Sequence, residues 1–345
     1  MEFIKPGTNF DFVGKQKIAL FLSASLIVLT ILSLIIHKGP KYGVDFAGGT
    51  VIQLKFPAAV SIDKIKAGLE SIDIHASMIQ EYGEHEKGNC QYLVNTGMTG
   101  ITEQGFSDQV SQAMKSATGY DAEILRVEMV GPQVGKELRG KALMAIFFAL
   151  LFINIYISGR FELKWMESAI VAGALIGAVK LFSIFHLSLP ILILIALMVS
   201  LLLFWILNLK YAMGAIVALL HDVTITVGIF SITGKEFTLP IIAALLTIIG
   251  YSLNDTIIVF DRIRENLKKY SRKTMSENIN TSINETLSRT ILTAATTLVV
   301  VLALFLFGGS IIHDFAFAMI IGIVIGTYSS IFVASPILLW WQNKK

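Results

Sequence analysis

Long apolar stretches separated by short charged ones dominate this chain. Eight such stretches each approach the ~20 residues that an α-helix needs to cross a hydrocarbon core about 30 Å thick. They lie at about 17–36, 141–158, 166–186, 189–208, 211–232, 238–260, 289–308 and 315–338. The composition agrees, because 54% of the residues are hydrophobic and 15% are charged, which is unlike a soluble domain. The pattern predicts a polytopic α-helical membrane protein with eight transmembrane helices.

The segment at 37–140, between the first two apolar stretches, has the mixed polarity of a small soluble domain. Runs rich in β-branched and aromatic residues predict strands at 50–56, 77–82, 91–95 and 122–130. Apolar residues at helical spacing predict one helix between the first two strands and another before the last. We expect the last strand to place Ile124, Arg126, Glu128 and Val130 on one face. The predicted order β-α-β-β-α-β is that of a small α+β (ferredoxin-like) domain.

The distribution of Lys and Arg predicts the orientation. With the N-terminus in the cytoplasm, alternation of the spans gathers the cationic loops on the cytoplasmic side. The short outer loops then contain a single Lys or Arg residue, Lys235. The predicted cytoplasmic cations are Lys5, Lys15, Lys17, Arg160, Lys164, Lys210, Arg262, Arg264, Lys268, Lys269, Arg272, Lys273, Lys344 and Lys345. Both termini are therefore expected in the cytoplasm, and the α+β domain on the opposite side.

Asp255 is the most informative polar residue, because it interrupts an apolar helix. A carboxylate at membrane depth costs at least ~2.5–3.5 kcal/mol on insertion scales, so it is a functional candidate. Arg289 opens the next long apolar stretch at a compatible depth. Burial favours a protonated carboxyl and a nearby cation favours the ionised one, so movement of a cation can switch proton binding. Asn254 and Tyr251 extend the polar face beside Asp255.

His221 and Asp222 lie deeper in their own span. They are interpreted either as a proton relay or as a buried pair that holds helices together, and the sequence leaves both open. After Asp255 the chain becomes strongly charged, and Asp261, Arg262, Arg264 and Glu265 are expected to form a charged cytoplasmic collar. This collar belongs to a cytoplasmic amphipathic loop predicted at 261–287, in which 275–287 is expected to form an amphipathic helix lying on the cytoplasmic face.

Six blocks in order along the chain resemble SecF, a family of bacterial protein-export membrane proteins in the resistance-nodulation-division superfamily. They are 42–50 (YGVDFAGGT), 160–162 (RFE), 221–223 (HDV), 250–266, 306–309 (LFGG) and 329–335 (SSIFVAS). The first resembles the family's glycine motif at the start of its periplasmic domain, here with Asp45, Gly48 and Gly49. The resemblance also implies that Asp255 and Arg289 are proton-relay residues. One departure is the long stretch between the second and third blocks, which predicts an extra helix pair at 165–209 and eight spans rather than the family's six.

The resemblance implies an auxiliary subunit of the Sec preprotein translocase that works with SecD and uses the proton motive force. Its implied partners are SecD, the SecYEG channel, YajC and the translocating preprotein, without nucleic acid. The implied location is the bacterial inner membrane, with 1–36 as the cytoplasmic N-terminus and first span, 37–140 periplasmic and 141–345 as the bundle. No catalysis and no cofactor besides coupling protons are expected, and the single cysteine, Cys90, makes a disulfide or cysteine metal site unexpected. A proton-coupled small-molecule exporter subunit and a passive periplasmic chain-holding scaffold remain alternatives.

Overall fold

A computed structural model describes residues 8–86, 89–97, 103–162, 165–183 and 189–342. A long first helix, α1 (Gln16–Ile36), is followed by a small α+β domain and then by the remaining helices, which pack into a bundle. The predictions for Lys5, Lys164, Lys344 and Lys345 fall outside the described residues. Residues 87–88, between the second and third strands, also lie outside the described residues.

The α+β domain contains one four-stranded antiparallel sheet. Its elements are α2 (Val44–Ala47), β1 (Gly49–Phe56), α3 (Ile62–Glu70), β2 (Ala76–Glu86), β3 (Asn89–Thr96), α4 (Glu103–Thr118) and β4 (Glu123–Val130). In space the strands lie in the order β2-β3-β1-β4. Side chains of β1 and β3 pack with α3 and α4 in one core, which includes Ile52, Leu54, Tyr92, Leu69 and Met114. Helices therefore cover one face of the sheet.

A β-bulge corrects the predicted alternation in β4. Gln53 pairs with Arg126 and Leu54 pairs with Ile124, so Leu125 is an extra residue opposite β1. Ile124 consequently packs against the core of the domain, whereas Arg126 lies on the open face of the sheet. The prediction that Ile124 and Arg126 share one face is wrong, because the extra residue reverses the alternation between them.

The rest of the chain is helical. Its helices are α5 (Pro132–Glu162), α6 (Trp165–Ser183), α7 (Leu189–Ile206), α8 (Lys210–Ile232), α9 (Leu239–Lys269), α10 (Met275–Phe307), α11 (Gly309–Ser329) and α12 (Ser335–Gln342), with a π-helical turn at Ser330–Ala334. Within the described ranges, six helical segments are long and apolar enough to cross a membrane: α1, α5, α8, α9, α10 and Ile312–Trp341. At the predicted extra pair, the apolar helices Trp165–Ala178 and Ile191–Ile206 are shorter. A mostly helical membrane protein with a small antiparallel sheet is thus confirmed, and the number of spans stays a prediction.

Three helices extend beyond their predicted limits. α5 begins at Pro132, directly after the sheet, and α9 continues through the charged residues to Lys269. α10 is one helix from Met275, so the segment predicted as an amphipathic loop at 261–287 is helical except at 270–274. The apolar face of the amphipathic segment, including Ile279 and Ile283, is buried in the core of the bundle. This face therefore packs against protein, and the position of the segment at the cytoplasmic face stays a prediction.

Candidate functional site

Two glycines bring α11 close to α9, the helix that carries Asp255. A Cβ at Gly322 would lie 2.2 Å from Ile248 Cγ1, and a Cβ at Gly326 would lie 2.9 Å from Ser252 Cβ. Helices approach this closely only where small residues face the neighbouring helix. The short side chains on both helices can therefore reach each other across this contact.

The Asp255 side chain is buried at this contact, with 1% of the residue exposed. Its Oδ2 lies 3.5 Å from the Thr327 hydroxyl of α11, a long hydrogen bond. Its Oδ1 has no hydrogen-bond partner among the described residues. Buried carboxylates are normally paired or fully hydrogen-bonded. Asp255 is therefore a carboxyl group placed in the bundle with spare capacity for a proton, a water molecule or a cation.

Arg289, the predicted cation, is exposed on α10. In the described part of the chain, no ion pair within 4.0 Å joins it to Asp255. The two residues nevertheless lie on helices that pack against each other, α10 and α9. The structure thus separates the two residues that the sequence predicts as a pair.

The seam between α9 and α10 holds other polar groups. The Tyr251 hydroxyl lies near Thr293 and Thr297 of α10 but outside hydrogen-bonding geometry. The buried Thr290 hydroxyl, one residue after Arg289, also has no partner among the described residues. Asn254 is exposed instead. The seam therefore contains buried polar atoms that ordered water can satisfy.

His221 and Asp222 form a second polar cluster at the centre of the bundle, where both are buried. His221 Nδ1 lies 2.9 Å from Asp222 Oδ1. Asp222 Oδ2 accepts hydrogen bonds from Ser252 of α9 at 2.5 Å and from Ser329 of α11 at 2.8 Å. On its other side, His221 Nε2 lies 3.0 Å from Ser23 Oγ of α1. The cluster joins four helices and leaves neither carboxylate oxygen of Asp222 unsatisfied.

One segment of α11 contacts both carboxyl groups. Thr327 reaches Asp255, and Ser329, two residues later, reaches Asp222. The π-helical turn begins at the next residue, Ser330, whose hydroxyl lies 3.2 Å from that of Thr256 on α9. Single π-helical turns inside helices are frequent at functional sites. The two clusters are therefore neighbours in the fold, although the sequence places their carboxylates on different spans.

The charged collar connects α5, α9 and α10. Asp261 pairs with Arg160 Nη2 at 2.7 Å, and Arg264 donates to the Arg160 carbonyl at 3.2 Å. Arg262 pairs with Glu265 at 3.1 Å and lies 3.6 Å from Glu285 of α10. These contacts are partly exposed, and each exposed ion pair contributes little, about 0–1 kcal/mol. They orient the helix ends and do not supply a chemical group to the bundle.

The predicted glycine motif joins the α+β domain to the bundle. Asp45 Oδ2 accepts from the Leu239 amide at 2.9 Å, which caps the N-terminus of α9 and places a negative charge at its positive end. Gly48 and Gly49 have φ of 79° and 139°, a region that favours glycine. A Cβ at Gly49 would lie 2.2 Å from the Thr96 carbonyl oxygen. The motif is therefore structural, and it ties the sheet to α9.

Sequence reasoning missed the hydroxyl-bearing partners of the carboxylates. Ser252, Thr327 and Ser329 carry no charge and lie in apolar helices, so nothing singled them out. The spacing of Ser252, three residues before Asp255 on one helix face, was the available signal. Among the described residues, no group of three His, Cys, Asp or Glu side chains is arranged to hold a metal ion.

A bundle of apolar helices with buried acids, joined to a small α+β domain through a glycine motif, defines a polytopic membrane protein with titratable groups in its interior. Residues 109–201 and 190–344 match the family described as protein export membrane protein SecD/SecF, C-terminal, and residues 33–57 match the SecD/SecF GG motif. The chain belongs to this SecD/SecF family of protein-export membrane proteins.

Named relatives agree with this assignment. Protein translocase subunit SecF of Magnetococcus marinus is 39% identical over 340 residues, which are 98% of this chain and 94% of the relative. The SecF of Calditerrivibrio nitroreducens is 40% identical over 342 residues, 98% and 96% of the two chains. The crystal structure of SecDF from Thermus thermophilus, a translocon-associated membrane protein, superposes with a TM-score of 0.73 at 32% identity. This chain is covered to 98% in that superposition and spans 39% of the SecDF chain.

Proposed function

We propose that this chain is the SecF subunit of a SecD–SecF complex that uses the proton motive force to promote preprotein export. Asp255 carries the proposal. A buried carboxyl group with one unpartnered oxygen, in the middle of an apolar helix, can bind and release a proton at membrane depth. No bond of the preprotein is made or broken in such a process, so the chain is proposed as a transport component and not as an enzyme.

Arg289 is the proposed switch for that proton. The guanidinium stays charged at every physiological pH and offers several donors to a carboxylate. In the arrangement described above it does not pair with Asp255, and burial without a cation favours the neutral acid. Approach of Arg289 along the α9–α10 seam would favour the ionised form and release the proton. The Tyr251 hydroxyl, which has no hydrogen-bond partner among the described residues, lies in the same seam and supports a hydrated route along it.

The proposed topology has eight spans with both termini in the cytoplasm. The concentration of Lys and Arg in alternate loops supports this orientation. The α+β domain is proposed to be periplasmic and ferredoxin-like. Its element order, β-α-β-β-α-β, and its strand order, β2-β3-β1-β4, support that fold. The helices α6 and α7 would form the additional pair, located in the inner membrane beside α5.

SecD is the proposed direct partner, because about 60% of each matched SecDF chain lies outside the part that this chain covers. The SecYEG channel, YajC and the moving preprotein are proposed as further partners of the assembled complex. Protons are the proposed coupling ion. The buried groups on α9 and α8 lie among helices that such a complex would enclose.

The test compares preprotein export by the assembled translocase carrying wild-type chain or Asp255→Asn, with and without a proton gradient. Asparagine keeps the shape of the side chain and its contact with Thr327 but cannot release a proton. We expect the gradient-dependent part of export to be lost, while export without a gradient is unchanged. Results are normalised to the amount of chain inserted in the membrane.

Glu137→Gln is the matched control, because it also converts a carboxylate to an amide but at a side chain that is 63% exposed. It should keep gradient-dependent export. Undiminished coupling in a well-inserted Asp255→Asn translocase would remove Asp255 from the proton route. Loss of export both with and without the gradient would indicate a damaged fold. The insertion assay would distinguish such damage from a coupling defect.

A further inference from the structure

Directional hydrogen bonds around His221 determine how many protons it shares with Asp222. The chain of hydrogen bonds starts at Tyr328 of α11, whose hydroxyl donates to the Ala19 carbonyl of α1 at 2.6 Å. A carbonyl oxygen only accepts, and a phenol has one proton. The Tyr328 oxygen can therefore only accept in its 3.1 Å contact with Ser23, so Ser23 donates there.

This assignment fixes the tautomer of His221. The Ser23 hydroxyl has one hydrogen, which it donates in its hydrogen bond to Tyr328. Its oxygen must therefore accept in the 3.0 Å contact with His221 Nε2. Nε2 therefore carries a proton. The opposite nitrogen, Nδ1, lies 2.9 Å from Asp222 Oδ1, and a hydrogen bond there needs one proton between them.

Two states satisfy that requirement. Either His221 is doubly protonated beside an ionised Asp222, or both are neutral and the carboxyl group donates to Nδ1. The pair has no net charge in both states, and it holds one proton more than a neutral histidine beside a carboxylate. Ser252 and Ser329 donate to the other carboxylate oxygen in either case. A neutral pair is also the form that a buried site without further counter-ions favours.

We propose that the His221–Asp222 pair is a proton-binding site distinct from Asp255, and that its proton controls the contact between α1 and α11. If the pair releases this proton, Nδ1 keeps its hydrogen toward the carboxylate and Nε2 becomes an acceptor. Ser23 must then turn to donate to Nε2. Its contact with Tyr328 then has no available hydrogen, because the Tyr328 hydroxyl still donates to the Ala19 carbonyl.

Open space borders the pair. His221 and Ser23 line a groove of about 330 Å³ between α1 and α8. Among described titratable groups on the packed elements, Tyr328 stacks on the His221 ring at 6.1 Å, and Asp255 follows Ser252 by one helical turn on α9. Tyr251 lies beside Ser252, while Lys17 is near the start of α1. Among the residues that the structure describes, no Lys or Arg contacts the pair, so a bound proton is what balances the charge of Asp222.

The test is ¹⁵N NMR of histidine-labelled full-length protein in lipid nanodiscs, across mildly acidic to alkaline pH. His221→Gln identifies the His221 signals. We expect a protonated Nε2 at neutral pH and its loss as pH rises. In Asp222→Asn the amide donates to Nδ1 and its oxygen accepts from both serines, which imitates the neutral acid, so Nε2 should keep its proton over the whole range.

Tyr328→Phe is the matched variant for the chain of hydrogen bonds. It frees Ser23 to donate to His221, so the alternative tautomer with unprotonated Nε2 should become populated at neutral pH. An unprotonated Nε2 in the wild type at neutral pH would overturn the proposal, even if the Asp222 and Tyr328 variants do not fold. Equal pH dependence of wild type and Asp222→Asn would do the same. Asp255→Asn should retain the titration, so this result is independent of the proposed export function.

Discussion

Close packing of α9 and α11 gives a prediction whose size follows from the structure. In Gly322→Ala the new Cβ would lie 2.2 Å from Ile248 Cγ1, whereas carbon atoms pack best at about 3.5–4.0 Å. The methyl group is therefore at least about 1.3 Å too close. Ile248 is 1% exposed, and its β-branched side chain has little rotamer freedom. Overpacking of such a site costs about 1–3 kcal/mol.

Gly250→Ala on α9 is the matched control, because its Cβ would meet nothing within 4 Å. Both substitutions add the same helix propensity, up to ~1 kcal/mol, so their difference isolates the steric cost. Reversible unfolding of the full chain in mixed detergent micelles, followed by tryptophan fluorescence, measures both. We expect Gly322→Ala to be less stable than Gly250→Ala by about 1–3 kcal/mol. Equal stability of the two variants would refute the close approach of these helices.

The other predictions concern the α+β domain. Gly49→Ala combines a positive φ with a backbone clash, so the domain should lose its native protease resistance while the bundle still inserts; a resistant domain would contradict the geometry. Tyr92 is buried, which raises the pKa of its hydroxyl despite its hydrogen bond to Val60. Because the folded-state pKa lies above the usual value of about 10, its contribution to stability is complete below that pH and is lost as pH rises through the raised pKa. Alkaline unfolding followed by tyrosine absorbance should lack this phase in Tyr92→Phe, and its persistence would exclude Tyr92 as the cause.

Two acids in one membrane bundle can have different tasks when their partners differ. Asp222 has three hydrogen-bond partners on its two carboxylate oxygens, whereas Asp255 has one long contact and an oxygen without a partner among the described residues. The first arrangement holds a proton within a defined network. The second leaves the carboxyl open to water and to a moving cation. Burial alone does not distinguish them, since both are almost fully buried.

Local chemistry in the sequence was sufficient to find the helices and the polar residues inside them. A helix in lipid must satisfy its own backbone and expose apolar side chains, so hydrophobic length reports a span directly, and a charge such as Asp255 is conspicuous. The strands of the α+β domain were predicted for a similar reason, because β-branched and aromatic residues alternate there. The charged collar was also predicted from the sequence, although its ion pair with Arg160 was not.

Only the tertiary structure decided which of those residues meet. Ser23 contacts His221 from 198 positions away, and Ser329 contacts Asp222 from 107 positions away. Helical periodicity gives the angular position of a side chain on its own helix but not the neighbour that faces it or the depth at which they cross. The separation of Arg289 from Asp255 and the bulge at Leu125 depend on the same packing. Hydrophobicity is a property of each segment, whereas a hydrogen bond between segments is a property of their packing.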